Sequence, residues 1–91
     1  MGTKKVNYNK SGIQKLPNDR PVLYRIESKS GRLNYVGTAQ RGRAQDRIEE
    51  HLGTIPGATV RIEQFGSIKE AREKESRVIA KNQPKYNEQG K

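Results

Sequence analysis

Tyr24 and Tyr35 lie eleven residues apart and are followed in order by Arg47, His51, a lone Glu75 and Pro84-Lys85-Tyr86-Asn87. These residue types suit the cutting of a phosphodiester with one metal ion. A carboxylate can hold a hard divalent cation. A guanidinium grips two phosphate oxygens at once and stabilises the charge that builds up at phosphorus. A phenol or an imidazole orients the attacking water or takes its proton.

Spacing adds direction to these types. Arg47 and His51 stand at i and i+4, on one face of a helix expected over 43–52. The apolar stripe of that helix is Ala44, Ile48 and Leu52; His51 falls inside it and Arg47 at its margin. A second helix, about 68–81, carries Ile68, Ala71, Val78 and Ile79 on one stripe, and Glu75 falls near its centre. A carboxylate there points to the sheet, and burying its charge requires a partner. Either a metal ion or a basic side chain meets it; a buried Glu–Arg pair is the structural alternative. Glu70 and Glu73 lie off the stripe. Tyr24 and Tyr35 fall on adjacent strands, where core packing with a wet tip competes with a role at water. Tyr8 and Tyr86 read as core packing or base stacking. Arg41, Arg43 and Lys85 are assigned to phosphate contacts, with plain solvent exposure the alternative for Arg41 and Arg43.

Other chemistries are poorly served. One histidine and no cysteine exclude the usual zinc sets. No Gly-rich loop of the Walker type and no Ser-His-acid arrangement is present. One carboxylate plus waters suits Mg²⁺ or Mn²⁺, which keep much of their hydration shell.

The elements that must position these residues follow from pattern. Pro21 opens a strand in which 22, 24 and 26 share a face. Ser28-Lys29-Ser30-Gly31 is a turn, and Leu33–Gly37 its antiparallel partner. Gly37 shares a face with Tyr35 and lets a neighbour approach closely. Thr59–Phe65 alternates as a third strand. Ser67 to Glu70 fits a capping box at the start of the last helix, and Pro84 prevents its continuation. The order strand, strand, helix, strand, helix predicts an α+β fold: a small three-stranded antiparallel sheet flanked by helices.

Composition sets the class. Ninety-one residues with 30% hydrophobic content allow one domain with a small core. The net charge of +9 points to a polyanion, nucleic acid first; solubilising surface charge is the alternative. Lys4, Lys5, Lys10, Lys15 and Arg20 make residues 1–20 read as a flexible basic arm ahead of a domain over 21–91. Arms of this kind follow a phosphate backbone. No apolar run is long enough for a membrane span and no signal-peptide core is seen, which is compatible with a cytoplasmic location.

Together these motifs resemble the GIY-YIG nuclease family. Val22-Leu23-Tyr24 stands at its first motif, with Val22 in place of the family's Gly, and Tyr35-Val36-Gly37 at its second. Arg47-Ile48-Glu49-Glu50-His51 is similar to its helix with a catalytic Arg and a His one turn on. Glu75, Ile79 and Pro84-Lys85-Tyr86-Asn87 match the spacing of its metal-binding Glu and closing Pro-x-x-Asn. The match spans about 21 to 87, with about two residues more between Tyr35 and Arg47 than the family pattern. Arg43 is therefore a second candidate for the catalytic arginine; only Arg47 has a His at i+4 and an apolar neighbour at 48. The resemblance implies a stand-alone endonuclease acting on DNA. Glu75 would hold one Mg²⁺ or Mn²⁺, Arg47 steady the phosphate, and Tyr24 or Tyr35 position or activate water. His51 would assist and Asn87 support the site. With no second recognition domain expected, a homodimer or a partner protein would supply targeting. The competing reading is a non-catalytic nucleic-acid-binding module on the same fold.

Overall fold

The computed structural model describes residues 3–84 and Tyr86. Among these residues the chain is an α+β domain in the order β1 (Thr3–Asn7), α1 (Lys10–Ile13), β2 (Val22–Glu27), β3 (Leu33–Ala39), α2 (Ala44–Glu50), β4 (Thr59–Gln64) and α3 (Ile68–Asn82). The sheet has four strands, not the three expected, in the order β1-β4-β2-β3, and every pairing is antiparallel.

The fourth strand comes from the segment expected to be a flexible arm. Thr3 to Asn7 pair with Glu63 to Thr59 along the edge of the sheet. Two lysines in a five-residue strand hide it from pattern reading, yet an edge strand tolerates them because its outer side meets water. Asn9 then caps α1, its side chain accepting from the Gly12 N–H at 2.7 Å. Gly12 has no alternative at its position: a Cβ there would run into the Asn7 carbonyl oxygen. Behind this turn Tyr8, Ile13 and Leu16 enter the core, and the Tyr8 hydroxyl donates to the Ile55 carbonyl at 2.9 Å. The segment is thus part of the domain because three of its apolar side chains have nowhere else to go.

Alternation along the strands makes two cores. Val22, Tyr24, Ile26, Val60 and Ile62 face Ile13, Ala44 and Ile48 of α1 and α2. Leu23, Val36 and Phe65 face Ala71, Ile68, Val78 and Ile79 of α3 on the opposite side. On that second side a row of charges also crosses the sheet. Arg61 donates to Glu27 at 2.8 Å, Lys74 to Glu63 at 3.0 Å, and Arg25 lies 3.6 Å from Glu63.

The last helix begins as its sequence predicts, with the Glu70 N–H donating to the Ser67 hydroxyl. The Glu70 carboxylate reaches back one residue further than a standard box, to the Gly66 N–H at 3.3 Å. The helix ends at Gln83, which takes a left-handed conformation (φ 46°) just before Pro84. A residue preceding proline is barred from the α region, which gives the stop its cause.

Candidate active site

The two helices on opposite faces meet around the free edge of β3. Tyr24 sits on β2 directly opposite Gly37 on β3, and Tyr35 opposite Ile26. Because Gly37 has no side chain, the Tyr24 ring extends across it to reach Tyr35. The ring centroids are 6.1 Å apart at 30°. A Cβ on Gly37 would lie 2.6 Å from the Tyr24 hydroxyl oxygen and 3.0 Å from the Tyr35 ring.

His51 closes α2 as its C-cap and turns towards the phenols. Its Nε2 is 2.9 Å from the Tyr24 hydroxyl, and its ring packs against Tyr35 at 4.6 Å between centroids. One turn earlier Arg47 is half exposed, 3.9 Å from Glu50. An exposed pair at that distance is weak, so the guanidinium is available to an anionic ligand.

All of this opens into one cavity of about 360 Å³. Tyr24, Tyr35, Arg47, His51 and Glu75 line it together, and so does Arg43. Glu75 reaches the cavity from α3 and is half-buried. Glu75 takes no part in the close ion pairs among the described residues, and the arginine whose charge acts on it is Arg72. Arg41 is exposed and stands outside the cavity lining. Lys85 and Asn87 lie outside the described residues.

The cavity also holds residues that the motif reading passed over. Arg72, one turn before Glu75, and Thr38 and Gln40, just past Gly37, contribute to its walls. Arg72 was legible in principle, since i and i+3 share a helical face. Thr38 was not: it belongs to the α3 side of β3, and only the wrapping of the site around the sheet edge brings it in.

Electrostatics within the cavity are consistent with a site prepared for cationic and anionic ligands together. Burial holds the Glu75 carboxyl above its usual range, against the pull of Arg72 and the Thr38 hydroxyl. Burial also raises both phenols, most strongly Tyr24, with the Glu75 charge adding and Arg47 opposing. The Tyr35 charge further raises Tyr24, so Tyr35 is the phenol that would ionise first. Burial lowers His51, and Arg47 lowers it further while Glu50 opposes. At neutral pH the protein's own groups therefore present two neutral phenols and a neutral imidazole, not a phenolate. A tyrosine base of lowered pKa is not what these surroundings favour; hydroxyls that orient water are.

Whether the site suits a metal ion turns on its donors. Among the described residues no three His, Asp or Glu side chains gather as a ligand cluster. A single half-buried carboxylate on the wall of an open cavity is the donor set of a hydrated Mg²⁺ or Mn²⁺, which one or two carboxylates and several waters hold. Glu75 fits that description. It does not fit a cation that needs a full protein cage.

No protein-family model matches the chain, and no curated protein matches it in sequence. Among the described residues, no helix is long and apolar enough to cross a membrane.

Proposed function

We propose that this protein is a metal-dependent endonuclease of the GIY-YIG type that hydrolyses DNA phosphodiester bonds. One observation carries the reading. Five side chains from β2, β3, α2 and α3, all of the types such hydrolysis needs, line a single cavity. The packing of a core does not require a guanidinium, an imidazole and a half-buried carboxylate to share one opening.

The residues divide the work by their chemistry. Glu75 would hold the divalent ion, which when bound neutralises charge on the scissile phosphate and on the leaving oxygen. Arg47, with Arg43 and Arg72 around the rim, grips the non-bridging oxygens and stabilises the extra charge of the pentacovalent state. The neutral Tyr35 hydroxyl orients the attacking water. The Tyr24–His51 hydrogen bond supplies a route for its proton. Water gives a proton to the Tyr24 oxygen while the Tyr24 proton passes to Nε2, in the tautomer whose Nδ1 carries hydrogen. The water oxygen then bonds to phosphorus as the bond from phosphorus to the leaving oxygen breaks.

The test separates catalysis from binding. Glu75→Ala should abolish Mg²⁺-dependent nicking of a supercoiled plasmid while leaving salt-sensitive DNA binding in place. Nicking by the variant at the wild-type rate would refute the assignment. So would a Mg²⁺ titration in which the Glu75 NMR signals do not move.

A further inference from the structure

We propose that the groove between β1 and α1 is a second site for a nucleic-acid phosphate backbone, on the sheet edge opposite the cleft. This rests on the nucleic-acid reading of the protein but not on its catalytic one. The groove has a volume of about 450 Å³. Lys5 and Lys15 stand in its walls with Asn7, Asn9, Ser11 and Thr59, and among the described residues no carboxylate lines it. Two cations surrounded by amides and hydroxyls form a surface for the charged oxygens of phosphates, and apolar ligands would find little to bury against.

The local charges leave these lysines available. Among the described residues Lys5 has one acidic neighbour within ion-pair reach, Glu27 at 4.0 Å, and Glu27 is already engaged by Arg61 at 2.8 Å. The Lys5 side chain is 57% exposed. The ion pairs among the described residues do not include Lys15. The backbone beneath them is fixed, by the pairing of Thr3–Asn7 with β4 and by the Asn9 cap on Gly12. What reads as a loose basic arm is therefore a folded segment whose Lys5 and Lys15 border one groove.

Position matters for what can be bound. With β1 and β3 at opposite edges of a four-stranded sheet, groove and cleft are separated by three strand spacings, about 14 Å. One helical turn of duplex is about 34 Å long. A single short stretch of duplex can therefore touch both, and the groove would hold backbone away from the cleaved phosphate.

The experiment measures binding of a labelled duplex by fluorescence anisotropy, in EDTA, as a function of salt. Each phosphate contact contributes about 0.9 to the slope of log affinity against log salt. Lys5→Ala/Lys15→Ala should lower the slope by about 1.8, so that the wild-type advantage shrinks about twelvefold between about 50 and about 200 mM salt. Lys5→Arg/Lys15→Arg should keep the wild-type slope, and Lys29→Ala, in the β2–β3 turn, should leave it unchanged. Single-turnover nicking at saturating protein should survive in the alanine variant, which distinguishes this site from the cleft. An unchanged slope in that variant would overturn the proposal. An equal loss in Lys29→Ala would also overturn it, by showing that total charge alone is at work. Absence of wild-type binding at low salt would overturn it together with the nucleic-acid reading, whereas a Glu75→Ala variant that still nicks would overturn the catalytic reading alone.

Discussion

Gly37→Ala isolates the geometry on which the site depends. The new methyl would stand 2.6 Å from the Tyr24 hydroxyl oxygen and 2.7 Å from its ring carbon Cζ. Ordinary contact begins near 3.4 Å, so the Tyr24 hydroxyl must retreat by about 0.8 Å. Tyr24 is buried, and the Tyr35 ring stands 3.0 Å from the same methyl, so neither ring can yield freely. Overpacking of this kind costs about 1–3 kcal/mol. Removing a glycine from a strand returns up to about 1 kcal/mol, so the net loss of stability should be about 0–3 kcal/mol and the protein should still fold. The Tyr24–His51 bond at 2.9 Å should break, and a misplacement of about 1 Å lowers catalysis about a hundredfold. Thermal unfolding, plasmid nicking and the His51 ring resonances should be measured on one preparation. Gly53→Ala, which meets nothing within 4 Å, is the control. A folded Gly37→Ala with wild-type nicking and unmoved His51 signals would refute the claim that the phenol–imidazole contact serves the reaction.

Two further outcomes follow from the charges and the core. Nicking should lose rate as pH falls, because protonating His51 removes its acceptor and protonating Glu75 removes its charge. His51 is held below 6.5 and Glu75 above 4.5, so the His51 step should centre below pH 6.5; a His51 step centred above that value would contradict its burial. Deleting residues 1–20 removes Tyr8, Ile13 and Leu16 from the core. At about 1.5–3 kcal/mol each that loss rivals the whole stability of a small domain, about 5–15 kcal/mol. The truncated chain should show no cooperative melting transition, and an unchanged one would restore the reading of residues 1–20 as a flexible arm.

Local pattern was enough for much of the molecule. The alternation in Val22–Glu27 and Thr59–Gln64, the Ser67 cap and the Pro84 stop lie where the sequence predicts them. Short-range sterics and hydrogen bonding decide such features, and a single chain displays them. Arg47 and His51 likewise share a helix face because four residues make about one turn. Glu75 stood out as a charge in an apolar stripe, and its place in the cavity wall agrees with that signal.

Tertiary structure decided what depends on distant partners. Whether Thr3–Asn7 is a strand is settled by β4, more than fifty residues away, and nothing within TKKVN announces it. Which helix covers which face is set by the packing of two separate cores, and it puts the site at the edge of β3. The ionisation of the tyrosines is collective too: residue type makes them neutral hydroxyls near pH 7, and burial, with the Glu75 charge, moves them further from ionising. Periodicity records how a segment relates to its own neighbours; desolvation and edge pairing are relations between segments, which exist only once the chain has folded.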